Sequence, residues 1–177
     1  MIPPRASIAG IIIVDDKPNS FFERGGAWVV IQFLLLTAVI VLGVAFHGDW
    51  THVPTIATGA ILFILGGYFG IAGVIVLGGN RTAYPRPRAG SELVQRGIYA
   101  RVRHPLYTSL MLASFGWALM WQSGYSLMAA LALMPFFHAK AGLEERWLRE
   151  KYPDYADYAK RVPRFIPKIG PASEVCL

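Results

Sequence analysis

The sequence has little charge and almost no cysteine. Only 16% of its 177 residues are charged, whereas 54% are hydrophobic, and this balance is too apolar for an ordinary soluble domain. The presence of a single cysteine, Cys176, excludes a disulfide within the chain. Cys176 is the second residue from the C-terminal end, whereas a prenylation box needs a cysteine at the fourth. The composition predicts one membrane domain over residues 1–177.

Acidic residues are also few, 11 against 17 basic ones, which gives a formal net charge of +6. A positive charge alone is compatible with nucleic-acid binding, but such a surface interleaves basic, polar and aromatic side chains on a soluble face. Here the Lys and Arg residues flank apolar runs, as they do beside membrane spans. Membrane lipids are therefore expected partners, and nucleic acid is not.

Long apolar runs predict an all-α, multi-pass membrane protein with about four transmembrane helices, among them a helical hairpin, and a cytoplasmic C-terminal cap. The first two spans cover residues 27–46 and 53–78, each long enough to cross the hydrocarbon at about 20 residues. The second span contains Gly66 and Gly70. This spacing of small residues allows two membrane helices to pack closely.

Basic residues also predict the orientation of these spans. They lie in a lead-in before residue 25, in a connection over residues 81–103, and from Lys140 onward, whereas the short connections 47–52 and 122–125 carry none. The positive-inside rule therefore places the basic segments in the cytoplasm. The expected location is the inner membrane of a prokaryote or the endoplasmic reticulum of a eukaryote.

A basic motif precedes the third span. Pro105 is suited to the first position of a helix, and the residue before a proline is extended, so His104 is predicted to lie just outside that helix. Arg101, Arg103 and Tyr107 would then surround the positive end of the helix dipole. Free backbone N–H groups at such an end favour an anion.

Spacing predicts the other half of a site. Twenty residues separate His104 from Gly124, and twenty more separate Gly124 from Glu144, so two helices of equal length form a hairpin whose open ends meet. Lys140, Glu144 and Glu145 should therefore return close to His104. A carboxylate at the mouth of a membrane hairpin is costly without a cationic partner, and which of the two glutamates faces a ligand stays open.

These residues carry a family resemblance. The segments 97–99 and 103–107, the pair Glu144-Glu145 and the tail 155–167 resemble the isoprenylcysteine carboxyl methyltransferase family, which is related to phospholipid methyltransferases. The resemblance covers roughly residues 91–167. It implies a membrane enzyme that uses S-adenosylmethionine, with N-terminal helices over residues 1–80 and a catalytic region over residues 81–167.

The resemblance also implies roles for individual residues. Lys140 falls near the position of a substrate-contacting arginine, and Arg103 is assigned beside it as a catalytic residue, with lipid phosphates as the alternative partner of Arg103. No metal site is implied. The implied cofactor-binding residues are Val94, Tyr99, His104, Pro105, Leu106, Tyr107 and Glu144.

The predicted function is methyl transfer from S-adenosylmethionine to a lipophilic or lipid-modified acceptor that enters from the bilayer. A prenylcysteine-like carboxylate is the first candidate, because it is ionised at pH 7 and needs no general base. A phospholipid amine or a thiol would need Glu145 or His104 as the base. The rivals are a membrane reductase that uses NAD(P)H and a non-catalytic scaffold or transport subunit. The acceptor and the oligomeric state stay open.

Overall fold

A computed structural model describes residues 25–80 and 90–168 of the chain. All regular secondary structure in these ranges is helical, as predicted. The lead-in before residue 25, part of the basic connection and Cys176 lie outside the described residues. The α-helices are α1 (Gly26–Ala45), α2 (Val53–Leu77), α3 (Pro105–Met120), α4 (Gly124–Lys151) and α5 (Tyr155–Arg161), with short 3-10 turns at Gly78–Asn80 and Gly97–Ala100.

Three of these helices, α1, α2 and α4, are long and apolar enough to cross a membrane. Helix α3 has 16 residues, or about 24 Å at 1.5 Å per residue, which is less than the hydrocarbon thickness of about 30 Å. It ends earlier than the apolar run suggested because the chain turns at Gln122, whose φ is +51°. The chain is a multi-pass integral membrane protein with three full-length candidate spans and one shorter helix between two of them.

Glycines of α2 bring this helix close to α3. A Cβ atom at Gly66 would lie 2.8 Å from the backbone nitrogen of Ala113, and one at Gly70 would lie 2.6 Å from the Ser109 hydroxyl. At Gly66 the close atoms belong to the backbone and cannot move aside, so this position needs glycine, whereas at Gly70 the Ser109 hydroxyl could rotate away. The predicted close packing through this pair is confirmed, and α3 is its partner.

One end of the bundle is closed by two loops, residues 46–52 and 121–123, and we call it the closed end. The Asp49 carboxylate accepts a hydrogen bond of 2.7 Å from the Gly124 backbone N–H, and the Asp49 N–H donates to the Gln122 carbonyl at 2.9 Å. The Ser123 hydroxyl donates to the Leu42 carbonyl at 3.1 Å. These bonds satisfy loop and helix-end groups within the protein itself.

At the opposite end, the tail after α5 crosses the start of α3. The His104 N–H donates to the Arg164 carbonyl at 3.1 Å, and the Arg103 N–H donates to the Pro163 carbonyl at 2.9 Å. His104 has φ −121° and ψ 63° and directly precedes the helix. The prediction that it lies just outside α3 is confirmed.

Candidate functional site

A cavity of about 450 Å³ lies between helices α1 to α4 and the C-terminal cap, which begins at Tyr152 and includes α5. We call this part of the molecule the cavity end. The structure brings every residue assigned to the site to the wall of this one cavity. Their individual roles stay predictions. The assigned residues are Val94, Tyr99, Arg103, His104, Pro105, Leu106, Tyr107, Lys140 and Glu144.

One side of the cavity is apolar. Helix α1 contributes Val29 and Phe33, and α2 contributes Val74 and Leu77. The Phe33 side chain is 61% exposed although it also lines the cavity, so the cavity reaches the outer face of the helix bundle there. In a membrane this face meets the acyl chains.

The opposite wall is polar and centred on Glu144. The Tyr107 hydroxyl donates to the Glu144 carboxylate at 2.7 Å, and the Nδ1 atom of His104 lies 3.7 Å from the same oxygen. The rings of His104 and Tyr107 stack at 5.3 Å between centroids. The predicted return of α4 to His104 and Tyr107 is therefore confirmed, and of the pair Glu144 and Glu145 it is Glu144 that lines the cavity.

Glu145 has a different environment. It is fully buried, and the Arg164 guanidinium binds both of its oxygens, with Nε at 2.9 Å and Nη2 at 2.8 Å. Arg103 Nη2 lies 3.0 Å away and His104 Nε2 lies 3.1 Å away. The carboxylate of Glu145 is thus occupied on both oxygens. It ties the start of α3, helix α4 and the tail together, which is a structural task.

Lys140 is 1% exposed and lies one turn before Glu144 on α4. Its ammonium donates to the Gln32 side-chain carbonyl of α1 at 2.5 Å and sits 5.4 Å from the centre of the Tyr107 ring. Gln32 also lines the cavity. A cation is thereby placed beside the apolar wall, at a depth where charged groups are costly unless they are functional or paired.

Two buried polar atoms of the cavity wall make no hydrogen bond within the described part of the chain: the Nε of Arg103 and the hydroxyl of Tyr155. The Arg103 side chain is only 10% exposed, and its Nη1 donates to the Ala159 carbonyl at 2.6 Å. This burial contradicts the alternative that Arg103 meets lipid phosphates. Unsatisfied buried donors cost free energy unless a ligand or water meets them.

Tyrosine hydroxyls complete the polar wall. Burial, helped by the nearby Glu144 carboxylate, raises the pKa of Tyr99 above its usual range. Burial, together with Glu145, likewise raises the pKa of Tyr155. Both hydroxyls remain protonated at neutral pH and can donate hydrogen bonds. The Tyr158 hydroxyl already donates to the Tyr99 carbonyl at 2.7 Å, which fixes the 3-10 turn at the cavity.

Sequence reasoning missed three residues of this region: Gln32, Arg164 and Tyr155. Gln32 was visible only as a polar residue within an apolar span, and the other two belong to the tail whose match to the family carried no residue roles. No local spacing connects any of them to Lys140, Glu145 or the cavity. Within residues 25–80 and 90–168, no group of three or more His, Cys, Asp and Glu side chains could hold a metal ion.

Known proteins resemble this chain over most of its length. The cobalt-zinc-cadmium resistance protein CzcN of Cupriavidus metallidurans is 29% identical over 152 residues, which cover 84% of this chain and 65% of CzcN. The nickel-cobalt-cadmium resistance protein NccN of Alcaligenes xylosoxydans xylosoxydans is 30% identical over 170 residues, which cover 93% of this chain and 75% of NccN. The chain thus spans slightly less than two thirds of CzcN.

An enzyme is among the relatives as well. Protein-S-isoprenylcysteine O-methyltransferase B of Arabidopsis thaliana is 30% identical over 116 residues, which cover 63% of this chain and 59% of the enzyme. Residues 54–155 match the phospholipid methyltransferase family, and this range contains α2, α3, α4 and most of the cavity wall. The chain therefore belongs to the phospholipid methyltransferase family of membrane proteins, which includes the isoprenylcysteine methyltransferases.

Proposed function

We propose that this protein is a methyltransferase that uses S-adenosylmethionine and methylates a lipophilic acceptor, with a prenylcysteine-like carboxylate as the first candidate. The observation that carries the proposal is the cavity itself. It joins a polar wall that holds a ligand-facing carboxylate, Glu144, to an apolar wall that reaches the outer face of α1. Family members use S-adenosylmethionine, and we place the cavity end at the cytoplasmic face.

The polar wall fits S-adenosylmethionine chemically. The Glu144 carboxylate can accept hydrogen bonds from the ammonium group or from the ribose hydroxyls, and the unpartnered donors of Arg103 and Tyr155 can meet the carboxylate of the methionine portion. When bound, the cofactor supplies a methyl group that its positive sulfur already activates. The task left to the protein is to align donor and acceptor and to exclude water.

The polar groups of the cavity favour a carboxylate acceptor. A carboxylate is ionised at neutral pH, and Lys140 places a cation beside the apolar wall. An amine acceptor would need a base, and of the two candidates Glu145 is occupied by Arg103 and Arg164 while His104 is itself in contact with Glu145. Lys140 offers a single ammonium rather than the forked donor of an arginine, so it binds a carboxylate with less geometric restriction.

Methyl transfer from labelled S-adenosylmethionine to N-acetyl-S-farnesylcysteine and to phosphatidylethanolamine tests the proposal. The wild type should methylate the acid. Lys140→Ala should lose most of this activity while affinity for S-adenosylhomocysteine stays nearly intact, and Lys140→Arg should be tolerated because it offers a forked donor. Faster methylation of the amine by Lys140→Ala would overturn the carboxylate assignment.

The names of two relatives support a second candidate, a non-enzymatic role in resistance to divalent metal ions. The two functions differ in their dependence on Glu144. In a strain that lacks the gene and has lost metal tolerance, a Glu144→Gln copy should restore tolerance if the role is non-enzymatic. If tolerance depends on methyl transfer, only the wild-type copy restores it.

A further inference from the structure

Gln32 and Lys140 form a polar contact between two helices that are each long enough to cross a membrane. Gln32 belongs to α1 and Lys140 to α4, and their side chains meet at 2.5 Å although 108 positions separate them in sequence. Both line the cavity. The contact therefore lies where it can influence a bound ligand, in addition to holding the two helices together.

None of the described groups in direct contact with the Lys140 ammonium carries a negative charge. Gln32 supplies a neutral acceptor and the face of the Tyr107 ring lies 5.4 Å away, but no carboxylate among the described residues lies within 4.0 Å of this ammonium. Glu144, one turn further along α4, bonds to the Tyr107 hydroxyl and attracts Lys140 only at longer range. A buried cation with neutral partners is stabilised by an anion that arrives with a ligand.

We propose that Gln32 determines the charge of the acceptor. Its neutral amide holds the Lys140 ammonium at the cavity wall without neutralising it, so the cavity selects a lipophilic anion over a neutral or cationic lipid. A glutamate at position 32 would make an internal ion pair with Lys140 and cancel this selection. The inference rests on the proposed function and deepens it, because it assigns acceptor choice to a residue of α1.

The direct test compares two ligands that differ only in charge, N-acetyl-S-farnesylcysteine and its neutral methyl ester. Binding of each to the purified full chain is measured in the presence of S-adenosylhomocysteine. The wild type should prefer the acid by about tenfold or more, as one charge-assisted contact implies. Gln32→Glu should reduce this ratio to near one while affinity for S-adenosylhomocysteine is unchanged.

A matched control is Gln95→Glu. Gln95 accepts a hydrogen bond from Arg161 at 3.3 Å, so this variant makes the same chemical change beside a cation, but at a position that does not line the cavity. It should keep the wild-type ratio of acid to ester. A fall of the ratio in Gln95→Glu equal to that in Gln32→Glu would contradict a local effect at Lys140.

The variant Gln32→Met separates charge from packing. It keeps the length and the neutrality of the side chain and leaves Lys140 in place, but it removes the hydrogen bond between α1 and α4. If the fall of the ratio in Gln32→Glu comes from the added charge, Gln32→Met still prefers the acid. If the fall comes from disturbed packing of α1 against α4, Gln32→Met lowers the ratio as far as Gln32→Glu does.

A wild type without preference for the acid, or an unchanged ratio in Gln32→Glu, overturns the inference. These ratios need no methyl transfer, so they are separable from the proposed function, which fails if the wild type neither binds S-adenosylhomocysteine nor transfers a methyl group.

Discussion

The two ends of the α3–α4 hairpin differ in how their polar groups find hydrogen-bond partners. At the closed end, helix termini and loops form hydrogen bonds with each other. Asp49 bonds to the backbone of Gly124 and of Gln122, and the Ser123 hydroxyl bonds to the Leu42 carbonyl. At the cavity end, buried polar atoms of Arg103 and Tyr155 have no partner in the described part of the chain. Polar groups satisfied by the protein indicate stability, and polar groups left to a ligand indicate a site.

The same contrast is repeated within the cavity end by two adjacent carboxylates. Glu145 is fully buried and its oxygens contact Arg103 and His104, just before α3, and Arg164 in the tail, whereas Glu144 keeps 25% of its side chain exposed and bonds to the hydroxyl of Tyr107. Neighbours in sequence point in different directions on a helix. These surroundings support the proposed roles, in which Glu145 stabilises the fold and Glu144 binds a ligand.

The largest expected effect is an all-or-none difference in accessibility between the two ends. In a Cys176→Ser background, His47→Cys and Lys160→Cys introduce cysteines at exposed positions. The two cysteines should be accessible from opposite sides of the membrane of sealed cells, and Lys160→Cys should be accessible from the cytoplasm. A membrane-impermeant maleimide, with lysed cells as the control, gives the readout. Labelling of both positions from one side would contradict the orientation of the hairpin.

Glu145→Gln should be the most destabilising change at the cavity end. It removes one charge from a buried cluster and leaves Arg103 and Arg164 without their counter-ion, which costs about 3–5 kcal/mol. Thermal unfolding in detergent measures the effect. Arg149→Ala is the control, because the Arg149 side chain is half exposed and its contact with the Glu145 carboxylate is longer, at 3.5 Å. A loss of stability as large as that of Glu145→Gln would argue against the importance of the buried cluster.

Glu144→Gln should affect binding more than stability. The loss of a charge-assisted contact worth about 1.5–3 kcal/mol weakens affinity for S-adenosylmethionine by roughly 10–100-fold, while the unfolding temperature stays close to that of the wild type. Isothermal titration and thermal unfolding on the same sample separate the two effects. Unchanged affinity in the folded variant would remove Glu144 from the binding site.

The elements that hold both ends could be predicted from the sequence because they follow from local rules. The bounds of α1 and α2, the position of His104 before Pro105 and the meeting of His104 with α4 depend only on apolar run length, proline geometry and helix rise. Local rules could not separate Glu144 from Glu145, and only the family resemblance favoured Glu144, because the difference depends on Arg164 in the tail.

Two other features lay beyond local rules. The contact of Gln32 with Lys140 joins helices whose packing order no spacing fixes. The shortness of α3 depends on the left-handed backbone of Gln122, a conformation that glycine and asparagine adopt far more readily than glutamine. Sequence reasoning therefore selected residues that line one cavity, while tertiary contacts decide which of their polar atoms lack a partner in the described part of the chain.

Substitutions at the α2–α3 interface should lower stability less than substitutions in the charged cluster around Glu145. A Cβ at Gly66 would meet backbone atoms of Ala113 and Ser109 at 2.8 and 2.9 Å, whereas one at Gly67 would have no neighbour within 4 Å. Gly66→Ala should therefore lower stability by about 1–3 kcal/mol, and Gly67→Ala should be close to neutral. Equal loss in both variants, measured by thermal unfolding, would contradict the close packing.

The smallest effect is expected at the closed end. Asp49→Ala removes the acceptor of the Gly124 N–H and should cost about 1 kcal/mol of stability. Because this end lies away from the cavity, affinity for S-adenosylhomocysteine should not change. Titration of the variant at a temperature well below unfolding measures this affinity, and a weakened affinity there would show that the two ends are coupled.

Calorimetric titration of the purified protein with S-adenosylhomocysteine and, separately, with NADPH tests the central claim most directly. If the cavity binds the methyl donor, S-adenosylhomocysteine gives a saturable one-site isotherm that Glu144→Gln weakens, and NADPH gives no binding heat. Saturable binding of NADPH without binding of S-adenosylhomocysteine would contradict the account and assign the cavity to a reductase.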